Sequence, residues 1–213
     1  MKGLIFDLDG VLVFTDKYHY LAWKQMADKR NIYFDEKINN RLRGVSRAES
    51  LEIILEHYHG PALTAAQKEE MMTEKHSIYR ELLSSMTPAD VSADVRYTLR
   101  KLHEKGYKLA IGSSSKNTKY ILEKVDLTDY FDAVSDGTNI SRSKPDPEVF
   151  LKAAEFLNEE PKECVVIEDA FAGIDAAKAA GMVAVGIGDA ANYERSDFRI
   201  QTFPELLSLE FVN

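Results

Sequence analysis

Apolar residues along the chain gather in short continuous runs separated by longer stretches at helical spacing. The first run, Gly3-Leu4-Ile5-Phe6, ends in acidic and glycine residues, which predicts a buried strand emptying into a loop. Further runs at 108–112, 133–135, 164–167 and 183–187 predict four more strands. Between them, 92–105 carries Val95, Leu99 and Leu102 at helical spacing and stops at Gly106, and 172–180 stops at Gly181. Strands alternating with helices predict an α/β fold, a doubly wound parallel sheet covered on both faces.

Residues 15–88 break the alternation, reading as helix after helix with no strand. Ser46 with Glu49, and Thr64 with Gln67, have the spacing of capping boxes. Leu51, Ile54 and Leu55 predict the apolar face of one helix, and Met71, Ile78 and Leu82 that of another. The expected division is therefore a core of 1–14 and 89–213 with an inserted α-helical cap at 15–88, Pro88 marking the return. An insert placed just after the first strand is expected over the carboxyl ends of the strands, where open α/β sheets bind ligands.

The chain has 213 residues, 45% of them hydrophobic, enough for a full core. Its formal net charge of -8 disfavours nucleic-acid and anionic-membrane partners, both of which need a basic face. Attraction for a phosphate would have to be local, through Arg47, Lys75, Lys116 or Lys144. A single cysteine, Cys164, cannot form an intramolecular disulfide, which favours a reducing compartment. Asp7 and Asp9 interrupt the N-terminal apolar run, and no later window is long enough to span a membrane. A monomeric cytoplasmic protein with a small-molecule substrate is the expectation.

The chemistry-bearing residues cluster at strand ends. Asp7-Leu8-Asp9-Gly10 follows the first strand, and two carboxylates one residue apart can divide labour, one attacking phosphorus and binding a cation, the other moving a proton. The same loop also suits a plain turn or a calcium ligand. Ser113-Ser114-Ser115-Lys116-Asn117 offers hydroxyls and N–H groups at a helix start, suited to an anion or to capping alone. Lys144-Pro145-Asp146-Pro147 sets a lysine in a stiff backbone, either to neutralise a phosphoryl oxygen or as an ordinary surface lysine. Glu168-Asp169 supplies hard oxygen donors of the sort magnesium prefers, or a solvated loop.

In the order carboxylates, hydroxyl, lysine, acidic pair, these elements resemble the four motifs of the haloacid dehalogenase superfamily, here Asp7 to Asp9, Ser113, Lys144 and Glu168-Asp169. The resemblance spans nearly the whole chain. It implies Asp7 as nucleophile, Asp9 as general acid and base, and magnesium held by Asp7, Asp9, Glu168 and Asp169.

Within that superfamily, Thr15, His19, Trp23, Arg43, Gly44, Val45, Ser46, Arg47, Ser50, Lys75 and the run Ser113 to Asn117 resemble the substrate-handling set of the β-phosphoglucomutase family. That family interconverts β-glucose 1-phosphate and glucose 6-phosphate. The resemblance implies that Arg47, Ser115, Lys116 and Asn117 hold the phosphate not being transferred, and that Ser113, Ser114 and Lys144 hold the one that is. Without it, His19 reads as a packed or surface histidine, Trp23 as core, and Lys75 and Arg47 as solvated helix surface. Phe14 stands where the family commonly has an acidic residue, and Arg43 where it has lysine. The alternative is a magnesium-dependent sugar-phosphate phosphatase with the same core, which keeps Asp7 and Asp9 but needs no second phosphate grip. A phosphate-binding regulator would be expected to lack Asp7, Asp9 or the acidic pair.

Overall fold

The apolar runs form the strands β1 (Gly3–Phe6), β2 (Lys108–Gly112), β3 (Ala133–Ser135), β4 (Cys164–Glu168) and β5 (Val183–Gly186). The structure, a computed structural model, describes residues 1–42 and 46–212. A sixth strand, β6 (Phe198–Arg199), joins them in one sheet of order β3-β2-β1-β4-β5-β6, with every neighbouring pair parallel. At two residues β6 is too short to leave an apolar signature in the sequence. β4 runs one residue past its expected end, taking in Glu168, whose backbone pairs with Gly186. β5 ends one residue early, before Ile187.

Successive strand residues face opposite sides of the sheet, and both sides here are covered. Ile5 packs in a cluster with Val149, Phe150, Val166, Ile174 and Ala177. Its neighbour Phe6 meets the rings of Phe131 and Phe203 at 6.1 and 5.9 Å between centroids. Four helices belong to this layer arrangement: α5 (Ala93–Glu104), α6 (Thr118–Lys124), α7 (Glu148–Leu157) and α8 (Phe171–Ala179), numbered after the four of the insert. The Ser92 hydroxyl caps α5 by accepting from the Val95 N–H at 3.2 Å, and Val95, Leu99 and Leu102 are buried along its inner face. α7 buries Val149, Phe150, Ala153, Ala154 and Leu157, then stops at Asn158 in a left-handed conformation.

The chain divides into two compact units, 1–14 with 87–213, and 15–86. The first unit thus resumes at Thr87, two residues before the expected 89. The reason is local: the Thr87 N–H donates to Asp90 Oδ2 at 2.9 Å, making Thr87 the N-cap of the short 3-10 turn Pro88–Asp90. The second unit holds α1 (Asp16–Asp28), α2 (Glu36–Asn40), α3 (Arg47–Leu55) and α4 (Ala65–Leu83). Both capping boxes form, at Ser46 with Glu49 and at Thr64 with Gln67. Leu51 and Ile54 are buried while Leu55 is half-buried, and on α4 the buried leucine is Leu83, with Leu82 half-buried. Glu74 of α4 pairs with Lys29 and Arg30, tying the end of α1 to α4. Among the described residues no helix is long and apolar enough to cross a membrane.

Where the sheet meets α7 the packing has no spare volume. A Cβ on Gly112 would lie 2.6 Å from the Phe150 ring and 2.9 Å from Ile5. Gly112→Ala is therefore expected to destabilise the first unit by about 1–3 kcal/mol through overpacking, read as a lower urea midpoint with an unchanged slope. An unshifted midpoint would mean that the ring can move aside.

Candidate active site

Strand register brings the chemistry-bearing residues to one end of the sheet. Phe6 pairs with Ile111 of β2 and Ile167 of β4, so Asp7 comes level with Gly112 and Glu168, and Ser113 and Asp169 follow one step beyond. The ladder continues to that point, the Asp7 N–H donating to the Ile167 carbonyl at 2.9 Å. Past Asp7 the chain folds back, with the N–H groups of Leu12 and Val13 both bonded to the Leu8 carbonyl. Gly10 sits at φ +89°, and a Cβ there would lie 2.1 Å from an Asp169 carboxylate oxygen. Both the backbone conformation and the close approach of the carboxylate require glycine.

Lys144, on the connection between β3 and α7, spans two carboxylates. Its Nζ donates to Asp7 Oδ1 at 2.5 Å and to Glu168 Oε2 at 2.7 Å, and lies 4.7 Å from the Phe150 ring centroid. Burial opposes the ammonium charge, yet Asp7 and Glu168 together hold its pKa above the ordinary lysine range. The other Glu168 oxygen accepts from the Ala170 N–H at 3.1 Å. Gly173 leaves room for this carboxylate, since a Cβ there would fall 2.0 Å from Glu168 Cδ.

Asp7, Glu168 and Asp169 each offer a carboxylate oxygen, and the three oxygens lie within 4.8 Å of one another. Burial pushes the Asp7 carboxyl up to about 7, Glu168 and Asp9 adding to the rise and Lys144 opposing it. Asp169 is pushed up to about 8, by burial first and then by Glu168 and Asp7. One ammonium thus serves two of three clustered carboxylates, and this acidic, all-oxygen donor set fits a hard divalent cation. The Asp9 carboxylate stands outside this trio and is half-exposed.

The loop Ser113–Asn117 folds on its own hydroxyls. Ser113 Oγ accepts from the Ser115 N–H at 3.2 Å, and Ser115 Oγ from the Asn117 N–H at 3.1 Å. Those two amides are accordingly engaged by side chains in the loop. Ser113 and Asn117 are buried, Ser114 and Ser115 half-buried, and Lys116 exposed. The Lys144 N–H approaches Ser114 Oγ at 3.5 Å, so the second and third motifs lie side by side.

In the helical unit, His19 and Trp23 of α1 meet Lys75 of α4. Lys75 is buried at 5% exposure, contrary to a reading as solvated helix surface. Its ammonium lies 2.8 Å from His19 Nδ1 and 5.0 and 4.9 Å from the ring centroids of Trp23 and Tyr79. Burial, and then Arg47, pushes the Lys75 amine down to about 7. His19 is pushed down to about 3 by burial, Lys75 and Arg47, and so is neutral. With the lysine donating to Nδ1, the histidine proton belongs on Nε2. Tyr79, which no sequence pattern singled out, stacks on His19 at 4.1 Å and donates to the buried Thr15 hydroxyl at 3.3 Å. Ser50 is buried and Arg47 exposed. Arg43, Gly44 and Val45 lie outside the described residues.

Glu159 forms a 2.7 Å ion pair with Lys108 and is largely covered, whereas its neighbour Glu160 is exposed. Gly173, Tyr79 and Phe150 shape the two clusters but left no signal, because each acts through a contact made only in three dimensions.

Residues 1–181 match the haloacid dehalogenase-like hydrolase family. The chain is 43% identical over 216 residues to the β-phosphoglucomutase of Bacillus subtilis (strain 168), covering 100% of this chain and 94% of that protein. It is 33% identical over 184 residues to a phosphorylated carbohydrates phosphatase of Thermotoga maritima, covering 85% and 82%. Among solved structures it resembles a β-phosphoglucomutase from Clostridium difficile with a TM-score of 0.82 and 36% identity, over 97% of this chain and 93% of that one. With its sheet order, its buried Asp7–Lys144–Glu168 cluster and these likenesses, the chain belongs to the haloacid dehalogenase-like hydrolase family.

Proposed function

We propose that the chain is a magnesium-dependent β-phosphoglucomutase, interconverting β-glucose 1-phosphate and glucose 6-phosphate through an aspartyl-phosphate enzyme and β-glucose 1,6-bisphosphate. One observation carries the reading: three clustered carboxylates, two of them bridged by Lys144, stand in a chain similar along its whole length to a β-phosphoglucomutase. Asp7 attacks phosphorus, and the bond to the donor oxygen breaks as the Asp7–phosphorus bond forms. Asp9 takes the proton from the attacking sugar hydroxyl and returns one to the leaving oxygen. Lys144, already against Asp7, neutralises charge on the transferring group. Asp7, Asp169 and the Asp9 carbonyl, with Glu168 adjacent, are the groups to hold magnesium, which when bound offsets phosphoryl charge.

A mutase must present both ends of the bisphosphate to Asp7, so the end not reacting needs its own grip. Arg47, Ser115, Lys116 and Asn117 fill that role, while Ser113 and Ser114 join Lys144 on the reacting phosphate. Thr15, His19, Trp23, Ser50 and Lys75, with Arg43, Gly44 and Val45, handle the sugar. Cys164 sits buried in β4, where burial pushes its thiol up to about 11. An inert thiol of this kind suits a cytoplasmic enzyme.

The test is to incubate the protein with magnesium and β-glucose 1-phosphate, tracing glucose 6-phosphate and free phosphate together, then to repeat with the α anomer. Glucose 6-phosphate from the β anomer in excess over free phosphate is the expected result. Free phosphate alone would replace the mutase by a phosphatase.

Asp7→Asn should abolish turnover, because an amide neither attacks phosphorus nor ligates the cation well. Appreciable isomerisation by a clean preparation would overturn the covalent route. Asp9→Asn should still bind metal and sugar phosphate while turning over about 10²- to 10⁴-fold more slowly. A near-normal rate in that variant would remove Asp9 from proton transfer. Arg47→Ala should weaken transfer to a phosphorylated sugar by about 10- to 150-fold, yet leave acetyl phosphate hydrolysis nearly unchanged, since that donor has no second phosphate to hold. Equal losses in the two assays would reduce Arg47 to support of its helix.

A further inference from the structure

Lys144 lies on the irregular connection 136–147 between β3 and α7, which lacks a regular ladder to hold it. Its backbone N–H meets Ser114 Oγ only at 3.5 Å, a weak tether for a group whose ammonium must lie between two buried carboxylates. The loop is instead fastened to α7 by one side chain. Glu148 Oε2 accepts from the Ser141 N–H at 2.9 Å, the Ser141 hydroxyl at 2.8 Å and the Arg142 N–H at 2.8 Å. In return the Glu148 N–H donates to Asp146 Oδ1 at 3.0 Å, and Asp146 pairs with Arg142 at 3.0 Å. The bonds from Ser141 and Arg142 close across Lys144, and all of them lie within residues 141–148.

The anchor itself is rigid. Val149 and Phe150, next along α7, are fully buried, and the Phe150 ring that α7 holds in the sheet is the one facing the Lys144 ammonium. The bonds from Ser141 and Arg142 hold the Glu148 carboxyl below the usual carboxylate range, so it stays charged and able to accept all three. Charge-assisted bonds of this kind are stronger than neutral ones, and the first turn of a helix favours a negative side chain.

We propose that Glu148 is a positioning residue for phosphoryl transfer: by buckling the 141–146 loop onto α7 it fixes the height from which Lys144 reaches Asp7. The proposal rests on the reading of Lys144 as the group that neutralises the transferring phosphoryl. Glu148 touches no reacting atom and acts only through Lys144. Misplacement of a catalytic group by about 1 Å can cost about 10²-fold in rate, so the buckle governs rate beyond any contribution to stability.

A double-mutant cycle separates the two roles. Phosphorylation of Asp7 by acetyl phosphate, in which the bond from phosphorus to the acetate oxygen breaks as that to Asp7 forms and acetate leaves, is followed under single-turnover conditions with magnesium. Glu148→Ala is expected to slow it about 10- to 100-fold in the parent protein, but by no more than about twofold in Lys144→Ala, where there is no ammonium left to misplace. Glu148→Gln, which keeps an acceptor oxygen without the charge, should fall between parent and alanine variant, and its cycle decides the matter if the alanine variant does not fold. Equal losses with and without Lys144 would overturn the proposal and leave Glu148 as a helix cap, as would no loss in the parent. If the parent forms phosphoenzyme but does not isomerise glucose phosphates, the mutase reading fails while the cycle still answers for Glu148.

Discussion

A single ammonium held between two carboxylates governs the first unit's chemistry. Lys144 bonds to Asp7 and Glu168 in a pocket where all three side chains are nearly excluded from water. A buried carboxylate without a counter-charge is strongly unfavourable and tends to take up a proton instead, which under the mutase reading would cost Asp7 its nucleophilicity. Lys144 opposes that outcome but cannot neutralise Asp7, Glu168 and Asp169 alone. The cluster is therefore short of positive charge by construction, which is the condition under which a divalent cation binds hard oxygens well.

Glycines at three positions make the crowding possible. Gly10, Gly173 and Gly112 stand where a Cβ would overlap the Asp169 carboxylate, the Glu168 carboxylate and the Phe150 ring, respectively. Two of them let acidic groups approach backbone closely, and the third seats the ring beside the Lys144 ammonium. Parallel register does the remainder: Asp7 and Glu168 come level because Phe6 and Ile167 pair. The site thus depends on strand alignment and small residues, with Lys144 supplied from the long β3–α7 connection and not from a strand end.

Five strands, the capping boxes and the helical insert were legible because each is encoded locally, in apolar runs of strand length or in the four-residue spacing of Ser46 with Glu49 and Thr64 with Gln67. The motif residues Asp7, Glu168 and Asp169 were legible because they occur at strand ends, where register brings them together, and Lys144 reaches them from the connection after β3. β6 was not legible, since two residues have no periodicity. The burial of Lys75 was not legible for a different reason. In sequence it sits between Glu74 and His76 and looks solvated, whereas on α4 it falls one turn from Met71 and Tyr79, both buried, and so joins the inner face. Glu148 is similarly silent, because its partners Ser141 and Arg142 precede it by a loop whose path no pattern specifies.

The buried lysine of the helical unit also bears on the proposed chemistry. What faces its ammonium is a neutral imidazole and two aromatic rings, which solvate a cation without cancelling its charge. Burial and Arg47 lower its pKa to about 7, where the charged and neutral forms are closely balanced near neutral pH. An arriving anion tips that balance toward the charged form, since an opposite charge nearby favours protonation of an amine. Under the mutase reading the helical unit thus gains positive charge as the sugar phosphate arrives. A lysine paired with a carboxylate would already be fully charged and would have to break an ion pair to respond. Under the same reading, leaving Lys75 against aromatic rings and His19 keeps it responsive to an arriving anion.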